Sequence, residues 1–200
     1  MVVGLLAFLA LVRTTRLVPS ADLKAVVSFA VMTAAGFAVL FKFTRAKSLQ
    51  GMPQQLGFTR VNARWIAAAI AIGGLVWFLC WLLTFQMYGG HFSFMALTEP
   101  TGAAIVLMLT PLILEEPLLR GFVYKAMRNR YSVVVSTTIV VVCSLLFHTG
   151  NFVLVPGFIS LIVFEFVLCV LRERAGSLWP SIACHTTYNV LFGLIQPLHR

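Results

Sequence analysis

At 200 residues, 60% hydrophobic and only 10% charged, the chain is far too apolar for a soluble globule, and a single domain spanning 1–200 is the expected organisation. A mean hydropathy of +0.96 points instead to an all-α fold, a polytopic transmembrane helical bundle of about six to seven membrane-spanning helices. The formal net charge of +9 would suit nucleic acid, but the basic residues fall in gaps between apolar runs and form no patch interleaved with aromatics. Membrane orientation accounts for them, and a nucleic-acid partner is not expected.

Residues 2–18 are apolar but interrupted by Arg13 and Arg16, which can snorkel from near a helix end. No basic region precedes the run, so it does not read as a cleavable signal, and as a first span it is short. Residues 23–43 have about the 20 positions a bilayer crossing needs. A polar loop with Lys42, Arg45, Lys47, Pro53 and Arg60 leads to residues 65–88, a span with aromatic residues near both ends, and 91–100 form a connector without Lys or Arg.

The next span, 101–126, carries the pair Glu115-Glu116 and ends at Lys125, Arg128 and Arg130. Residues 131–147 are rich in Val, Ile and Thr, a strand signal in water; in a bilayer a lone strand would leave its backbone unpaired, so a helix is expected. A turn at 148–156 precedes a short span, 158–171, which contains Glu165 and ends at Arg172-Glu173-Arg174; residues 178–198 form the last span. Loops rich in Lys and Arg alternate with loops almost free of them, which assigns the former to the cytoplasm, with the Arg13, Arg16 and Lys24 turn breaking the pattern. Cys80, Cys143, Cys169 and Cys184 lie within apolar runs at no ligand spacing and read as small buried hydrophobes.

The densest chemistry is Leu114-Glu115-Glu116-Pro117-Leu118-Leu119-Arg120. An ionised side chain at mid-bilayer costs roughly 2.5 to 3.5 kcal/mol on insertion scales, so three together need partners or a purpose. Residues four apart share a helix face, so Glu116, Arg120 and Tyr124 stack along one side, with Glu116 and Arg120 as an ion pair. Glu115 points about 100° away and is left as a spare carboxylate. Pro111 and Pro117 deny the helix two N–H groups and crowd the carbonyls of Leu107 and Ile113, which predicts a kink or a local opening.

Further polar residues sit among apolar neighbours: His148, the pair His185 and Asn189, and Glu165. His185 and Asn189 are four apart, so an imidazole and an amide project from one face toward a shared oxygen. This set supports water activation on a carbonyl. Glu115 takes a proton from water, His148 holds or polarises that water, and His185 with Asn189 stabilises the oxyanion, where a missing donor costs about 10² to 10³ in rate. A zinc site of Glu115, His148 and His185 competes with this reading, but no helix-encoded pair such as His-Glu-x-x-His is present and no metal or other cofactor is expected. Glu165 has no partner readable from spacing. It is a candidate to line a cavity, as are Tyr124 and Asn151, to bond a neighbouring helix, or to sit protonated.

Glu115-Glu116-x-x-x-Arg120, a histidine on the next helix, and His185-x-x-x-Asn189 preceded by Gly176-Ser177-Leu178-Trp179-Pro180 resemble the three motifs of the CPBP family. That family comprises CAAX prenyl endopeptidases and bacteriocin-processing or immunity membrane proteins, also called Abi. The second motif departs from the family pattern: with His148-Thr149-Gly150-Asn151 aligned to its His-x-Gly-Asn, Ser144 stands where a phenylalanine is usual. The resemblance covers 111–194 within a motif-bearing core of about 101–198. It implies a metal-independent glutamic intramembrane protease, with Glu115 as the water-activating acid, His148, His185 and Asn189 as oxyanion stabilisers, and Glu116 with Arg120 as framework.

The partners expected are the lipid bilayer and a membrane-associated peptide or protein substrate: a prenylated tail, a leader peptide or a sorting tail. A bacterial or archaeal plasma membrane is the expected location. Two rival readings are a non-catalytic immunity or scaffold protein that keeps the polar cluster for packing, and a transporter using Glu115, Glu165 and Arg120, which lacks the expected broken-helix repeat.

Overall fold

The computed structural model describes residues 21–43, 51–87, 109, 111–148 and 155–194. Every regular element among them is helical. In chain order they are α1 (Ala21–Phe43), α2 (Met52–Leu56), α3 (Ala63–Met87), two wide-turn π-helical segments, π1 (Pro111–Glu115) and π2 (Pro117–Tyr124), then α4 (Lys125–Arg128), α5 (Val133–Phe147), α6 (Val155–Ala175) and α7 (Trp179–Leu194). The expected first span at 2–18, the connector at 91–100, the start of the motif span and Asn151 lie outside the described residues.

The β-branched run forms a helix, α5, whose start is fixed by Ser132: its hydroxyl accepts from Val135 N at 3.4 Å. α6 runs through the charged triplet Arg172-Glu173-Arg174 to Ala175 and stops before Gly176, whose φ is +65°. Inside the expected polar loop the chain forms a short helix, α2. Pro53 sits in its first turn and Gly57 follows its end at φ +95°, the arrangement that starts and stops a helix most cheaply.

α2 is not a surface ornament. Met52 and Leu56 are buried with Leu40 of α1 and with Leu178 and Ile182 at the start of α7. The segment that leaves α2 is bonded to the turn between α6 and α7: Leu178 N donates to Gly57 O at 2.9 Å, Ser177 Oγ to Thr59 O at 2.8 Å, and Thr59 Oγ1 to Gly176 O at 3.1 Å. Phe58 meets Trp179 edge-on at 5.3 Å.

α3 lies along α7 and also touches α6. The approach to α7 is close enough that a Cβ on Gly73 would stand 2.5 Å from the carbonyl oxygen of Cys184, so hydrogen is the only side chain that fits. Ala69, Val76, Phe164, Leu168 and Cys184 form the core at this seam. The π segments occupy the middle of the bundle, with neighbours on α1, α2, α5, α6 and α7. Tight packing of α3 and α6 on α7 therefore decides where the polar residues of α6 and α7 point.

Candidate active site

Prolines shape the helix that carries the two acids. Pro111 opens π1 and Pro117 opens π2. Neither can donate a backbone bond, and each ring pushes on the preceding turn, so widening of the helix relieves both problems without breaking it. The expected kink therefore takes the form of two wide segments. Farther along, a Cβ on Gly121 would lie 3.0 Å from the carbonyl oxygen of Leu56, which lets α2 sit directly against π2.

Five charged or polar side chains from three stretches of chain meet in line. Arg120 is fully buried and forks between two carboxylates: Nη1 donates to Glu116 Oε1 at 3.0 Å, and Nη2 is bonded to Glu165 Oε2 on α6. The same oxygen of Glu116 receives His185 Nδ1 from α7 at 2.9 Å. On the far edge of the imidazole, His185 Nε2 faces Glu115 Oε2 at 3.6 Å. The order is Glu165, Arg120, Glu116, His185, Glu115.

The chemistry of the middle bonds fixes the rest. A carboxylate paired with an arginine only accepts, so Nδ1 of His185 carries the proton in the Glu116 bond and Nε2 is the nitrogen presented to Glu115. The ring is also held by packing, with Phe164 edge-on at 5.1 Å and stacked in turn on Tyr188 at 4.4 Å. Glu115 is the open end of the line: its side chain is 21% exposed, against 6% for His185 and 0% for Glu116 and Arg120. Its Oε2 is nonetheless buried and has no hydrogen bond.

The remaining candidates are placed as follows. Asn189 lies one helical turn beyond His185 on α7 and is half-buried. His148 follows the last turn of α5, where its Nδ1 donates to the carbonyl of Ser144 at 2.9 Å; it makes no hydrogen bond to Glu115 or His185. Glu165 is fully buried and paired with Arg120. Tyr124 also leaves the line, since its hydroxyl donates to Glu173 Oε2 at 2.9 Å. There it joins Arg128, whose Nη2 lies 2.9 Å from Glu173 Oε1, in a second polar group at the basic end of the bundle. Among the described residues no three His, Cys, Asp or Glu side chains converge as a metal site would require.

Spacing could not reveal the bonds of Arg120 to Glu165 or of Glu116 to His185, which join residues 45 and 69 positions apart. One signal was available. The chain has only six acidic residues, and Glu165 lies too deep in its apolar run for the terminal arginines of α6 to reach it, which leaves Arg120 as the cation at matching depth.

Residues 97–191 match the family model of type II CAAX prenyl endopeptidases, Rce1-like. Over that segment the chain is similar to the Rce1-like family. This agrees with the CPBP resemblance of the three motifs. No curated protein and no solved structure matches the chain. The Rce1-like segment contains all five residues of the line together with His148 and Asn189, whereas α1, α2 and α3 precede it. The activity that this similarity suggests is that of a CAAX-type protease.

Proposed function

We propose that the chain is an integral membrane endopeptidase that hydrolyses a peptide bond in a membrane-associated protein, using Glu115 and no metal to activate water. The observation that carries this reading is the imidazole of His185, fixed on one edge by Glu116 and turned on the other toward the partly open Glu115. A fixed imidazole beside a partly open carboxylate is an arrangement suited to general acid–base hydrolysis.

In the proposed reaction Glu115 takes one proton of a water molecule as the oxygen attacks the scissile carbonyl carbon. The carbonyl oxygen becomes an oxyanion, stabilised by the Asn189 amide and by His185 and His148 as imidazolium donors. Collapse of the intermediate breaks the C–N bond, and the proton held by Glu115 passes to the departing amine. Water is thereby added across the peptide bond, with no oxidant or other co-reactant.

The membrane part of the reading rests on the distribution of side chains. Residues Ala63–Leu83 are long and apolar enough to cross a bilayer, and 17% of their most apolar stretch is buried. Leu75 and Leu79 on α3, Val134 on α5 and Val163 and Phe166 on α6 are exposed, while Glu116, Arg120 and Glu165 are enclosed. Apolar residues outside and charges inside suit a lipid surround. A prenylated tail, a leader peptide and a sorting tail are the substrates to try.

The test is cleavage of a fluorogenic, farnesylated CAAX-tail peptide, beside leader and sorting-tail peptides, by the full chain in proteoliposomes. Cleavage that survives a strong chelator and is abolished by Glu115→Gln supports the proposal. Cleavage retained by Glu115→Gln, or lost on chelation, overturns it.

A further inference from the structure

The acid on α6 lies outside all three motifs, yet it holds one arm of the arginine on which the line turns. We propose that Glu165 is a positioning residue for His185, acting through Arg120 and Glu116. The inference builds on the proposed reaction only in its kinetic consequence; its structural part stands on the contacts themselves.

A guanidinium facing a single carboxylate pairs with it through two parallel bonds, occupying both oxygens. Here the two arms are divided, with Nη1 on Glu116 Oε1 and Nη2 on Glu165 Oε2. Because Glu165 holds the second arm, Arg120 gives Glu116 one bond, and Glu116 Oε1 keeps a lone pair for His185 Nδ1 at 2.9 Å. Without the charge on Glu165, the free arm turns to Glu116. The carboxylate then rotates to meet both arms, and the bond that orients His185 is lost.

The geometry of α6 adds a second grip. Phe164, the neighbour of Glu165, meets the His185 ring edge-on at 5.1 Å. One turn of α6 therefore contacts the imidazole directly through Phe164 and indirectly through Glu165. A purely structural acid would hold Arg120 just as well but would have no consequence for the imidazole.

The experiment uses the full chain in proteoliposomes, labelled with ¹⁵N-histidine. The chain has four histidines, so His185→Gln assigns the signal. In the wild type the Nδ1–H of His185 gives a hydrogen-bonded, strongly deshielded proton. In Glu165→Gln that signal shifts or disappears, and kcat on the farnesylated reporter falls roughly tenfold to a hundredfold with KM kept. The loss is not additive with Glu116→Gln, because both act on the same bond. Should Glu165→Gln not fold, Glu165→Asp, with its charge on a shorter stem, carries the same expectation.

An unchanged His185 signal in these variants overturns the proposal, as do effects of Glu165→Gln and Glu116→Gln that simply add. A signal that moves in a chain whose wild type cleaves no reporter supports the positioning role and sinks the protease assignment alone.

Discussion

The carboxylate of Glu116 receives Nδ1 of His185 at 2.9 Å while the same oxygen holds Arg120 at 3.0 Å. One acid thus sets the tautomer of an imidazole on another helix. Glu116→Gln replaces the pure acceptor by an amide whose NH₂ can face His185 and force the proton to Nε2. With the proton moved to Nε2 and the ring no longer fixed by a carboxylate at Nδ1, kcat is expected to fall by about 10² to 10⁴, the range seen when an orienting carboxylate becomes an amide. Steady-state cleavage of the reporter, with thermal unfolding as the control for fold, checks this.

Removing the cation has a different consequence. Arg120→Ala leaves Glu116 and Glu165 enclosed without a counter-charge, and breaking a buried ion pair from one side typically costs about 3–5 kcal/mol. The expected outcome is a large loss of folded protein in detergent. Neutralising all three, as Arg120→Met with Glu116→Gln and Glu165→Gln, should restore much of the stability and none of the activity. A scaffold protein would regain function along with its fold; a protease would not.

The seam between α3 and α7 gives a contrast between adjacent glycines. A Cβ on Gly73 would meet backbone 2.5 Å away, whereas one on Gly74 meets only Leu191 Cδ1 at 3.9 Å. Gly73→Ala must push the helices apart and is expected to cost about 1–3 kcal/mol. Gly74→Ala adds ordinary contact and removes a flexible helix residue, so its expected effect is neutral to stabilising by up to about 1 kcal/mol. Paired thermal unfolding curves distinguish the two.

At the basic end, the bonds from Arg128, and after them the bond from Tyr124, hold the Glu173 carboxyl below its ordinary value of 4.5. A carboxyl whose folded value is depressed adds stability above its unfolded value, and that stability is lost as pH falls through the folded one. The wild type should therefore lose thermal stability more steeply than Glu173→Gln as pH drops below about 4.5. The difference should be small, because the pair is partly exposed and screened by solvent. Unfolding temperatures of the two chains across that range, compared at one ionic strength, provide the measurement.

Much of the architecture is legible in the sequence because helices are local. The runs read at 23–43, 65–88 and 131–147 correspond to α1, α3 and α5 with ends within about two residues, the usual uncertainty of a helix end. The helix α2 was hidden because five residues are too few to show a period, although Pro53 and Gly57 marked its ends. The same contrast governs the site. Glu116 and Arg120 are four apart, so their contact follows from spacing, while the bond between Glu116 and His185 depends on how α7 is rotated against π1 and π2. That rotation is set by the hydrogen of Gly73 and by packing on α6, neither of which leaves a periodic trace.

The hydrogen bonds that fasten Gly57 and Thr59 to the turn ahead of α7 give the N-terminal helices a share in placing His185. They lie outside the segment that carries the motifs, but they brace the foot of the helix bearing His185, and α3 lines its flank. Transplanted without them, residues 97–191 would keep every reactive group and lose the buttress that keeps those groups in register. Residues 97–191 are therefore expected to need the helices that precede them.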